Sequence, residues 1–125
     1  MQIKIIIIAV VVAILADYLV GTFRALYYLR MGDEAHKEQW WTSRKMWEGI
    51  MHKFCEILLL LVAYGVDFIA PYFALDLPFE FVNMVAGFLV VMELGSVLEN
   101  LRELNPALAK PIDTIKDATG GDKHE

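Results

Sequence analysis

Residues 5–24 read IIIIAVVVAILADYLVGTFR, from Ile5 to Arg24. Twelve apolar residues run unbroken from Ile5 to Ala16, and the next residue is Asp17. Apolar and aromatic residues then continue to Leu29, longer than the hydrophobic core of a secretory signal, so the segment is expected to be retained as a helix. A run of this length matches the roughly 30 Å hydrocarbon core of a bilayer, which takes about 20 helical residues. On insertion scales a mid-helix Asp costs about 2.5–3.5 kcal/mol, and each Ile, Leu, Val or Phe returns about 0.3–0.6. About a dozen such residues offset the acid, so the helix inserts with Asp17 in it.

The rest of the 125-residue chain follows the same segregation. It is 58% hydrophobic, yet its charged residues cluster between long apolar stretches. This reading divides the chain into a transmembrane helix over 1–30 and an amphipathic, aromatic cytoplasmic loop over 31–53. A second transmembrane helix covers 54–73, a short external connection 74–79, a third helix 80–103 and a cytoplasmic tail 104–125. Pro71 and Pro78 bracket the connection, and Thr42 or Ser43 is positioned to cap a helix leading through Lys53 into the second span. The tail is expected to form an amphipathic turn or two, with Ile112 and Ile115 on one face, before the disordered Gly120-Gly121 end.

Lysine and arginine set the orientation. The first loop carries Arg30, Lys37, Arg44, Lys45 and Lys53, and the tail carries Arg102, Lys110, Lys116 and Lys123. The connection Ala74–Glu80 carries none. The fold class expected is an all-α membrane protein of three transmembrane helices, N-terminus outside and C-terminus inside. Trp40, Trp41 and Trp47, with Lys45 and Lys53, are the expected anchors at the inner interface. A soluble three-helix bundle leaves this charge asymmetry unexplained.

Four acids lie within or beside the spans. Glu56, one turn from Lys53, and Asp67, one turn from Pro71, are expected to reach the headgroups. Asp17 is too deep for that. Ala9, Ala13, Asp17, Gly21 and Ala25 recur at every fourth position and form one ridge, four of whose members are small. Small residues let a second helix come close, where packing and hydrogen bonds replace the missing hydrophobic drive. The ridge is expected to pack helices together and to support self-association, with Arg24 bending back toward Asp17. In the third span Glu93, Ser96 and Asn100 share a face, with Glu99 beside them, and Asn83, Gly87 and Gly95 form a second small or polar ridge. Asp17, Arg24, Glu93, Ser96 and Asn100 are therefore the candidates for polar pairing inside the membrane.

Catalytic chemistry is not suggested. His36, His52 and His124 show no ligand spacing with one another or with Cys55 and are expected to be solvated. No phosphate-binding glycine loop or nucleophile elbow occurs, and Ser43 and Ser96 have no basic partner in reach. No cofactor, metal or nucleic-acid partner is expected, and the formal charge of −5 includes no basic arm.

The order of motifs resembles the phage holins of the toxin-secretion/phage-lysis type. Asp17 with Gly21 falls late in the first span, Ser43-Arg44-Lys45 with Gly49 and Lys53 leads into the second, and Glu93 to Asn100 (ELGSVLEN) closes the third. Val20 stands where that family often has threonine, and Gly32–Trp41 is long and acidic for it. The resemblance implies a multi-pass protein of the host cytoplasmic membrane that forms homo-oligomers and opens lesions, releasing an endolysin. A small ion- or proton-conducting channel or transporter, and an accessory subunit of a larger membrane complex, are the competing classes.

Overall fold

The computed structural model describes residues 2–119; Gly120-Gly121, Lys123 and His124 lie outside the described residues. Among the described residues the regular structure is entirely helical: α1 (Gln2–Met31), α2 (Ser43–Ile69), α3 (Phe81–Leu104) and a short α4 (Ala109–Ala118). Three helices, Ile3–Met31, Ser43–Phe73 and Phe81–Leu104, are long and apolar enough to cross a membrane.

Local chemistry fixes the ends of these helices. Gly32 adopts φ +64°, a left-handed value that glycine takes without strain. It donates to the Leu29 carbonyl and Asp33 donates to that of Tyr28, the paired bonds of a Schellman stop. Thr42 starts α2 by accepting from the Lys45 backbone N–H at 3.1 Å. The helix therefore begins well before the apolar run at Phe54 and takes in the second half of the segment expected as loop. Past α2, Ala74 repeats the Schellman stop in a left-handed conformation, φ 59°, without the freedom of glycine.

Asp67 departs from its expected role. It is not free to extend outward; its two oxygens accept from the backbone N–H groups of Phe81 at 2.8 Å and Val82 at 2.7 Å. Glu80 supplies no side-chain cap to α3, so a carboxylate from the neighbouring helix satisfies those donors and sits at the positive end of the helix dipole. This ties the end of α2 to the start of α3 across the proline connection.

In the packed bundle α3 is the central helix. It lies along α1 and against α2, whereas α1 and α2 touch each other at few points. Val10, Ile14, Leu60, Ala63, Val82, Ala86 and Leu89 form one buried apolar layer to which all three helices contribute. Beyond it the burial pattern is inverted relative to a water-soluble bundle. Large apolar side chains face outward, among them Leu19, Phe23, Phe68 and Phe88, while Asp17, Glu93 and Asn100 are buried. An outer surface of this kind suits hydrocarbon, and polar groups that cannot be left in hydrocarbon turn inward.

Beyond Leu104 the chain turns back, Asn105 capping a short 3-10 turn at Pro106–Leu108, into α4. Ile112 is buried, Ile115 is exposed, and two ion pairs hold α4 against α3: Arg102 with Asp113 at 3.0 Å, and Lys116 with Glu99.

Candidate functional site: an ion cluster inside the bundle

Lys53 lies eleven residues beyond the Thr42 cap, which puts its backbone about 16 Å along α2 at about 1.5 Å per residue. From there its Nζ donates to Asp17 Oδ2 on α1 at 2.6 Å and to Glu93 Oε1 on α3 at 2.6 Å. Glu56 Oε2, one turn further along α2, is 3.8 Å from the same nitrogen. One ammonium thus gathers a carboxyl from each of the three spans. Asp17 and Glu93 both sit near the middle of their helices, about 16–22 Å from either end at about 1.5 Å per residue.

The cluster is well enclosed. The Glu93 side chain is 2% exposed, and the Lys53 side chain 19%. Asn100 Nδ2 extends the network to Asp17 Oδ1 over a long 3.5 Å, and Ser96 faces the same cleft as Asp17 and Lys53. Glu93 Oε2 and Glu56 Oε1 are buried without a protein partner. Three carboxyl groups around one cation in a low-dielectric setting make a site whose parts depend on one another. Such a cluster adds little net stability over an apolar packing, but removing one partner is costly, commonly about 3–5 kcal/mol.

The small ridge of α1 is what lets the acids come together. Ala13 and Asp17 are buried, Gly21 and Ala25 half-buried, and Ala9 lies exposed at the edge of a groove shared with Asn83, Ala86 and Gly87. A Cβ on Gly21 would sit 3.4 Å from Asn100 Nδ2, the near limit of ordinary contact, so α3 lies close along the ridge there. In a single chain, then, the ridge faces the central helix.

Three residues stand elsewhere than their spacing suggested. Arg24 does not turn back to Asp17; its Nη1 lies 3.6 Å from Glu103 Oε2 on α3, whose other oxygen accepts from Tyr28 Oη at 3.0 Å. Glu103, one turn beyond the face of Ser96 and Asn100, is the nearer carboxylate across the α1–α3 contact. Lys53, expected as an interface anchor, turns into the bundle instead of outward. Because α2 starts at Ser43, the side chain is carried into the bundle and becomes the counter-ion of Asp17 and Glu93. Glu56 likewise points to this centre and not to the headgroups.

Other expected anchors occupy the loop end. The Trp41 backbone N–H donates to the Ala25 carbonyl at 3.2 Å, Trp40 Nε1 donates to the Asp33 carbonyl at 3.0 Å, and Trp47 and Lys45 are exposed. His36 differs from its solvated expectation: its ring stacks on Tyr28 at 4.3 Å and its Nδ1 is 2.8 Å from Asp33 Oδ2. His52 and Cys55 are exposed. Among the described residues, no three His, Cys, Asp or Glu side chains converge as a metal site.

The sequence model of the bacteriophage holin family matches residues 2–117. The chain belongs to that family. The match takes in all three spans, the Lys53 cluster and most of α4, so this holin-family chain is a multi-pass protein of the inner membrane. No curated protein and no solved structure matches it. Within this holin-family chain Lys53 is the central residue whose expected place differs from its observed one. A signal for it exists: it is the only lysine or arginine between Lys45 and Arg102. Buried acids on three apolar helices had few other cations to reach.

Proposed function

We propose that the chain accumulates in the host cytoplasmic membrane as a compact, silent bundle, self-associates, and at a set time opens lesions through which an endolysin reaches the cell wall. The tryptophan loop and the tail face the cytoplasm in this reading, as the distribution of lysine and arginine favours. Family membership supports the role. The observation that carries the mechanism is the Lys53 cluster: polar groups of all three spans are spent on one another while α1 and α2 have little else in common.

In the silent state Asp17, Glu93, Ser96 and Asn100 face inward, and the side chains turned outward toward lipid are mainly apolar. Opening re-pairs these groups, between chains or along water, so that a polar face lines the lesion. The Ala13–Ala25 ridge is occupied by α3 in the single chain. Self-association before opening therefore uses the outward faces, and the ridge becomes available to a neighbouring chain as the bundle loosens.

Inducible expression tests the proposal, with entry of an impermeant dye, viability and release of a co-expressed peptidoglycan hydrolase as readouts. Loss of viability together with hydrolase release is the expected result. Ion flux without passage of protein would favour a channel, and harmless expression with stable co-purification of an unrelated membrane protein would favour an accessory subunit. Asp17→Leu and Glu93→Gln are expected to change oligomer size and lysis timing at matched accumulation; unchanged values for both would refute the assigned mechanism.

A further inference from the structure

Near the loop end, α1 and α2 diverge and leave an open cleft of about 380 Å³ between them, floored by Ser96 and Asn100 of α3. Its walls carry Asp17 and Arg24 from one side and Lys45 and Lys53 from the other. Gly49 borders this open space: a Cβ built there meets nothing within 4 Å. Polar and charged loop residues frame the mouth. Its inner end stops at Lys53, beyond which the apolar layer around Leu60, Ala63 and Leu89 is packed shut.

We propose that this cleft is a water-filled vestibule in the unopened protein, reaching from the membrane surface on the loop side down to the Lys53–Asp17 pair, and closed to the opposite side. Lipid tails are a poor occupant for these walls. Each polar group left in hydrocarbon without a partner costs several kcal/mol. Two buried polar atoms of cleft-lining residues, Arg24 Nε and Gln39 Oε1, have no protein partner, and water supplies one. At about 30 Å³ per molecule the volume accommodates on the order of a dozen waters. The consequence for a mid-membrane ion cluster is asymmetry. Lys53 and Asp17 are hydrated from one face of the membrane, while the other face is sealed by dry packing. Opening a continuous water path then requires wetting only the apolar layer.

The inference goes beyond the lesion reading and depends neither on lysis nor on which surface faces the cytoplasm. The test is thiol accessibility before any lysis, in full-length protein in sealed vesicles of both orientations, on a Cys55→Ser background. A membrane-impermeant, hydrophilic maleimide is the probe. Only a thiolate in water reacts with it, so a lipid-facing cysteine stays silent. Gly49→Cys and Ser96→Cys are the cleft reporters, Glu34→Cys in the loop marks the sidedness, and Ala63→Cys reports on the apolar layer.

The expected result is labelling of Gly49→Cys or Ser96→Cys from the same side as Glu34→Cys, within roughly tenfold of its rate, with Ala63→Cys silent from both sides. Labelling of neither cleft cysteine by the hydrophilic probe, when a lipid-soluble maleimide labels both, would overturn the proposal. So would labelling from the side opposite to Glu34→Cys, or of Ala63→Cys at a comparable rate. Should Glu34→Cys prove to face outward with the cleft cysteines following it, the vestibule stands and the orientation reading falls.

Discussion

The two halves of this bundle are held by different physics. Toward the N-terminal end of α1, Val10, Ile14, Leu60, Ala63, Val82, Ala86 and Leu89 interlock as a dry layer. Toward the loop end, α1 and α2 part around a cleft, and contact across it depends on one ammonium reaching two carboxylates at 2.6 Å. Dispersion contacts in the first half are many and individually weak, so it yields gradually. The second half is a network that stands or falls as a unit. Under the proposed function this pairing has a use: one half would supply a seal and the other a release point.

Breaking the release point should have the largest effect. Lys53→Met leaves three carboxyls around an empty centre and is expected to lower bundle stability by about 3–5 kcal/mol. Unfolding of purified protein in mixed micelles measures it; a loss below that of the apolar truncation described next would remove the distinction between the halves. Leu89→Ala, at a site 1% exposed, should cost about 2–3 kcal/mol by leaving a cavity in the seal. Its signature is different: Ala63→Cys should become reactive while the Lys53 pairs persist.

Asp67→Asn sharpens the comparison at the end of the bundle next to the proline connection. Losing the charged, two-pronged cap of α3 should cost about 1–2 kcal/mol, visible as faster amide exchange at Phe81 and Val82 with little change near Lys53. The smallest effect runs the other way. Ala74→Gly relieves a left-handed alanine and should stabilise by about 0.5–1 kcal/mol in the same unfolding assay.

Much of the architecture was legible because membrane insertion is a demanding filter. Run length, prolines and the positions of lysine and arginine report directly on helices that must satisfy their backbone internally. The depth of Asp17 and its small ridge also followed from periodicity alone, since residues four apart share a face whatever the tertiary structure. What periodicity does not carry is the partner. Arg24 has Asp17 on its own helix and Glu103 on another, and the choice is made by how α1 lies on α3. Asp67 was read by its distance from a helix end, but the unmet N–H groups of α3 sit beside it only after the proline connection folds.

Lys53 was misplaced for a more instructive reason. The apolar run begins at Phe54, so hydropathy assigns the lysine to the boundary. The Thr42 cap starts the helix some three turns earlier, and the charge is carried inward with it. Hydropathy locates lipid contact, whereas capping locates the helix, and a polar cluster inside a bundle occupies the interval between the two.

A double-mutant cycle between Lys53→Met and Glu93→Met, with unfolding free energies measured in one lipid–detergent mixture, bears most directly on the account. A coupling of about 1 kcal/mol or more is expected, the double variant recovering part of what Lys53→Met loses, because Glu93 is no longer stranded while Asp17 and Glu56 still lack the ammonium. Strictly additive losses, with no coupling beyond about 0.3–0.5 kcal/mol, would contradict the claim that this lysine holds the three spans together.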